Sequence, residues 1–124
     1  MMINRIVVSA ALAASISLGA LAERAYAYTG NLIETRTLNC SAGRPANSQM
    51  LAQTGGSGEF VWSYTKSGVS KIKETYFTIA AGQAAGDDLH PADNTITIKS
   101  VALYYSGLVS YDPTSGHFLD AACY

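Results

Sequence analysis

Charge is scarce in this chain. Only 14% of its 124 residues are charged, and eight basic against nine acidic side chains leave a formal net charge of −1. Binding nucleic acid through its phosphates takes a cationic excess that displaces counterions, and none is present. Disorder of the polyelectrolyte kind needs low hydrophobicity, whereas 48% of this chain is hydrophobic. Histidine is limited to His90 and His117, and cysteine to Cys40 and Cys123. A zinc site would have to draw on both, together with acids, and a Cys pair held in a disulfide cannot contribute. The chain has no G-x-S-x-G elbow, no EF-hand loop, no C-x-x-C pair and no internal repeat. Nothing in it calls for a cofactor. The single tryptophan, Trp62, lies too far from Cys40, and Cys123 too far from both, for the Cys…Trp…Cys spacing of an immunoglobulin domain.

The one long apolar run lies at the start. Arg5 precedes an uncharged stretch from Ile6 to Leu21, and Glu23-Arg24 follow as a short polar segment. Ala25-Tyr26-Ala27 then offers the small-x-small pattern of a signal-peptidase site. Residues 1–27 therefore read as a secretory signal peptide, cleaved between Ala27 and Tyr28, with residues 28–124 as one secreted β domain. Ala20-Leu21-Ala22 is an alternative site. The run is short for a retained transmembrane helix, which needs about 20 apolar residues. No cysteine follows it directly, as a lipoprotein anchor requires. The expected location is secreted or periplasmic, with no stable membrane insertion after cleavage.

Export places Cys40 and Cys123 in an oxidising compartment, where an even count points to a bridge. The Cys40–Cys123 disulfide would close most of the mature chain into one loop. Constraining the unfolded chain in that way is worth up to about 4.5 kcal/mol. A domain of roughly 100 residues has a modest core and gains from such a staple.

The apolar period after Tyr28 is mostly two. Asn31–Ser41 reads as a strand, rich in Thr, Leu and Ile and free of Gly and Pro. Pro45 suits a first helical position, so Arg44–Gln53 reads as a short helix stopped by Gly55-Gly56. Thr54–Gly58 reads as a flexible loop. Glu59–Lys66 alternates, with Phe60, Trp62 and Tyr64 on one face and Glu59, Ser63 and Thr65 on the other. Gly68 turns the chain into a second strand, Val69–Ile79. Ala80–Asn94, with Gly82, Gly86 and Pro91, reads as a loop. Thr95–Tyr105 is a β-branched and aromatic strand whose apolar phase changes at Lys99-Ser100, the mark of a bulge. Asp112–Gly116 (DPTSG) carries Pro and Gly where a turn needs them and joins Gly107–Tyr111 to His117–Cys123 as a hairpin. About six strands without a long helical pattern predict an all-β fold, a small antiparallel β-sandwich or barrel with one disulfide. Eight membrane-spanning strands would consume nearly the whole mature chain, which argues against an outer-membrane barrel.

Three sets of residues carry possible chemistry. Asp87, Asp88 and Asp93 lie in the acidic segment 87–94 and are candidate Ca²⁺ ligands by type, although a solvated turn uses the same residues. His117, between Asp112 and Asp120 and near Ser106, Ser110 and Ser115, is the centre of any hydrolase the chain contains. Strict alternation back from an inward Cys123 sends His117, Leu119 and Ala121 inward. It turns Phe118, Asp120, Ala122 and Tyr124 outward. Tyr104 and Tyr105 cannot share a face either. Tyr104, Phe118 and Tyr124 are therefore candidate ligand-binding aromatics, suited to stacking on a sugar or anchoring a protein. The expected function is a small exported binding domain with a protein or carbohydrate target. A small secreted hydrolase centred on His117 and a structural subunit of an extracellular assembly are the alternatives.

Overall fold

The structure, a computed structural model, describes residues 28–124. The expected signal peptide lies outside the described residues. Among the described residues seven strands form: β1 (Asn31–Thr37), β2 (Ala46–Leu51), β3 (Gly56–Lys66), β4 (Val69–Ile79), β5 (Ala84–Leu89), β6 (Ile96–Tyr105) and β7 (Asp120–Cys123). Among the described residues there is no helix. The strands make two antiparallel sheets, one ordered β1-β6-β3-β4 and the other β5-β2-β7. The all-β expectation and the antiparallel pairing hold.

Alternation on β3 aims Phe60 and Trp62 into the core, and β6 adds Ile98, Val101, Leu103 and Tyr105 from the facing register. Ala46 and Met50 of β2, Ala85 of β5, and Val109 and Leu119 complete the same cluster, so both sheets contribute to one core. The phase change on β6 is a bulge. Ser63 stands opposite Ser100 and Tyr64 opposite Ile98, which leaves Lys99 without a counterpart. That extra residue lets Ile98 and Val101, three apart, both be fully buried.

Cys40 and Cys123 are bonded, with their Cα atoms 5.7 Å apart and 83 residues between them in sequence. The bridge joins the stretch after β1 to β7, and so one sheet to the other. Such a bond is consistent with an oxidising compartment outside the cytoplasm.

Two segments differ from the sequence reading. The expected helix over Arg44–Gln53 is strand β2. Its residues alternate buried and exposed, with Ala46, Ser48 and Met50 inward and Asn47, Gln49 and Leu51 outward. Paired on both sides by β5 and β7, it satisfies its backbone from two neighbours, which outweighs the helix preference of Ala, Gln, Met and Leu. The expected loop over Ala80–Asn94 contains strand β5. Its AAGDDL sequence lacks the β-branched and aromatic residues that announce a strand, and the ladder with β2 alone defines it.

The last three residues of the expected Thr54–Gly58 loop, Gly56 to Gly58, belong to β3. A Cβ on Gly58 would lie 2.2 Å from the Tyr104 carbonyl oxygen, so the close approach of β3 and β6 requires glycine. The expected C-terminal hairpin is limited to its turn. Asp112 and His117 form one bridge, after which Val109 pairs with Ala52 and Asp120–Cys123 pairs with β2.

Candidate functional site

The face of the larger sheet turned away from the core carries one continuous row. Leu32 of β1 stands opposite Tyr104 of β6, Tyr104 opposite Glu59 of β3, and Glu59 opposite Tyr76 of β4. Residues directly opposite in an antiparallel pair share a face, so all four side chains rise from the same side. Leu32 is 56% exposed and Tyr76 63%, and Ile72 further along β4 is exposed on the same face. Tyr104 is half-buried and packs against the ring of Tyr28 with centroids 4.6 Å apart.

Glu59 sits at the middle of this row and is fully buried. The chain before β1 folds back over it. Gly30 takes φ +86°, and a Cβ there would lie 2.4 Å from the Tyr105 carbonyl carbon, so only glycine permits this return. The amide of Thr29 then donates to Glu59 Oε2 at 2.6 Å, while Oε1 is buried without a hydrogen-bond partner.

Glu74, opposite Val61 on β4, is the diagonal neighbour of Glu59. It accepts from the Tyr76 hydroxyl at 2.8 Å. Burial pushes the Glu59 carboxyl up to about 7, the Thr29 amide opposes this, and the adjoining Glu74 carboxylate pushes it further up. The Tyr76 hydroxyl is pushed up to about 12, first by its bond to Glu74 and then by burial. Tyr104 is also raised, by burial and by the Glu59 charge. A depression of about 420 Å³ adjoins the row, lined by Thr29, Ser57, Gly58, Tyr76, Phe77 and Thr78.

The three candidate aromatics occupy separate places. Tyr104 belongs to the row just described. Phe118 is exposed and meets Tyr111 edge-on at 5.0 Å beside the Asp112–Gly116 turn. Tyr124 is exposed, its hydroxyl 3.1 Å from His90 Nε2 and 3.5 Å from Asp88 Oδ2. Burial and then Asp88 raise the Tyr124 hydroxyl.

The acidic segment is dispersed by the alternation of β5. Asp87 accepts from the Trp62 indole N–H at 2.7 Å and lies 3.8 Å from Lys73 Nζ. Asp88 points to His90 at 3.5 Å. Asp93 binds the amide and hydroxyl of Thr95, which hold its carboxyl below the usual range. Among the described residues no group of three or more His, Cys, Asp or Glu side chains is arranged to hold a metal ion.

His117 meets an acid, but neither Asp112 nor Asp120. Its Nδ1 lies 2.7 Å from Glu34 Oε2, and Glu34 Oε1 also accepts from the amides of Phe118 and Leu119. Arg36 donates to the Leu119 carbonyl from the next inward position of β1. Glu34 is thereby a clamp for the 117–119 segment. Ser115 Oγ turns to the Asp112 carbonyl and Ser106 Oγ to the Ser57 amide.

Sequence reasoning missed Glu34 and Glu59. Both are lone carboxylates in strands, with no local signal to separate them from solvent-facing ones. Their partners lie 84 and 30 residues away. No family model matches this chain, and no curated protein or solved structure matches it.

Proposed function

We propose that this chain is a small exported, non-catalytic binding domain built as a two-sheet sandwich, and that it recognises its target with the open face of the larger sheet. The observation that carries this reading is the Leu32–Tyr104–Glu59–Tyr76 row. It spans all four strands on the side away from the core, with exposed apolar and aromatic side chains at both ends. Large exposed apolar groups gathered on one surface mark interaction sites. Tyrosines combine apolar area with a hydroxyl, the usual composition of such a site.

Between the two target classes, the mixture favours a protein. Leu32 and Ile72 extend the tyrosine surface with aliphatic groups, which anchor protein side chains but give a sugar ring no flat face to stack on. The His117–Glu34 pair supports the rival hydrolase less well, because Glu34 is occupied by two backbone amides and Ser106 and Ser115 engage other groups.

A photo-crosslinking residue at position 76 of the exported protein tests the reading against the same residue at position 115, on the turn. A discrete adduct at 76 that is absent at 115 and lost in Leu32→Asp supports it. Identical patterns at the two positions, or adducts only at 115, overturn it. Retention on a glycan array that Tyr76→Ala abolishes would move the target to carbohydrate.

A further inference from the structure

The interior carboxylate of the row lacks a counter-charge. Glu59 is fully buried, Oε1 has no hydrogen-bond partner, and Glu74 brings a second acid beside it. The groups facing Glu59 are Tyr104 from β6, Tyr76 and Glu74 from β4, and Tyr28-Thr29 from the returning segment. Among the described residues, the ion pairs of Lys, Arg and His go to Glu34, Asp87 and Asp88, and none goes to Glu59 or Glu74. Two acids placed together in a desolvated site take either a shared proton or a cation.

A signal peptidase acting at Ala27–Tyr28 would supply a cation. Thr29 N lies 2.6 Å from Glu59 Oε2. The backbone nitrogen of Tyr28 is one residue earlier, which standard geometry puts within roughly 6 Å of that carboxylate. Cleavage by a signal peptidase adds water across the Ala27–Tyr28 amide. It leaves a carboxylate on Ala27 and an ammonium on Tyr28. Rotation about a single backbone bond of Tyr28 swings that ammonium while the Thr29–Glu59 bond is kept.

We propose that Glu59, with Glu74, is a binding site for a primary ammonium, and that its occupant is the α-ammonium freed at Tyr28 when the signal peptide is removed. Removal of the signal peptide then completes the fold as well as releasing the protein, because the acid pair is compensated only in the processed chain. The inference rests on cleavage at Ala27–Tyr28 and is independent of what the sheet face binds.

The protein is exported from a secreting host and its first residue is read by intact mass. Part of the sample is carbamoylated at its α-amine with cyanate in guanidinium at mildly acidic pH, where lysines stay protonated. This neutralises the Tyr28 nitrogen and leaves the Thr29 amide N–H intact, and the protein is then refolded with its disulfide in place. Tyr28 is expected as the first residue. The native α-amine should titrate at least one unit above its ordinary 7.7–8.0 and react about tenfold more slowly at pH 7 than in the unfolded chain. Blocking should lower the melting temperature by several degrees at pH 7, and Glu59→Gln should abolish that difference. If Glu59→Gln does not fold, Glu74→Gln serves, and there the shift of the α-amine should shrink. A different first residue, an α-amine titrating at or below 8, or an equal effect of blocking in the wild type and the Gln variant overturns the proposal. Loss of target binding with the amine shift intact would overturn only the reading of the sheet face.

Discussion

The indole N–H of Trp62 donates to Asp87 Oδ2 at 2.7 Å, from the middle of one sheet to the edge strand of the other. Trp62 is fully buried, so this carboxylate is what permits a polar nitrogen at the centre of the core. Asp87→Ala leaves that N–H without an acceptor and Lys73 without its ion pair. The expected cost is about 2 kcal/mol in urea unfolding, with Asp87→Asn less damaging because its carbonyl still accepts. Equal stability of the Ala variant and the wild type would show that the bond contributes nothing.

Reduction of the Cys40–Cys123 bond removes the constraint on a loop that covers most of the domain. Stability should drop by as much as about 4.5 kcal/mol, read as the shift in urea midpoint with and without dithiothreitol. Intact mass of the unreduced protein should lie two hydrogens below the reduced form. Two titratable thiols in the unfolded, unreduced protein would contradict the bond.

Glu34 and His117 contribute unequally. The imidazole is partly exposed, so His117→Ala should cost less than about 1 kcal/mol. Glu34→Ala strips the acceptor from the amides of Phe118 and Leu119, and about 2 kcal/mol is expected. Amide hydrogen exchange at those two residues should quicken in Glu34→Ala and hardly change in His117→Ala. The opposite ranking would show that the clamp is misassigned.

The pH dependence follows from Glu59. Its folded carboxyl is raised to about 7 from an ordinary 4.5, so between those values the folded chain holds a proton that the unfolded chain has released. Stability from this group is therefore full below about pH 4.5 and declines as pH rises through 7. The decline is expected on the order of 2 kcal/mol. It is expected in protein whose Tyr28 nitrogen is blocked, and Glu59→Gln should flatten it. A stability that climbs with pH over this range in the blocked protein would contradict the burial of the acid.

Where one strand carries its own pattern, the sequence was sufficient. Phe60 and Trp62 announced the core face of β3, the phase change at Lys99 announced the bulge, and the Asp112–Gly116 turn was visible from Pro and Gly. Where a strand is defined by its neighbours, it was not. Ala46–Leu51 has helix-forming residues, and Ala84–Leu89 has almost no preference. Each becomes a strand because the other lies beside it. The two buried or clamping acids follow the same rule: a glutamate is assigned by what folds over it. Tyr104 was singled out because it cannot share a face with Tyr105, and the structure places it beside Glu59, an acid that alternation alone assigns to the solvent side.

The bulge at Ile33 of β1, where Leu32 and Glu34 stand opposite consecutive residues of β6, has a bearing on aggregation. β1 is one margin of the larger sheet, and a kinked margin is a poor template for another strand. The other margin, β4, is eleven residues long but presents Lys71, an exposed charge that disfavours a second copy laid alongside. Both margins of this sheet are thus guarded against the edge-to-edge growth that leads to fibres. Another strand approaching this sheet in its plane meets a kink on one side and a positive charge on the other, which leaves the two faces as the accessible surfaces.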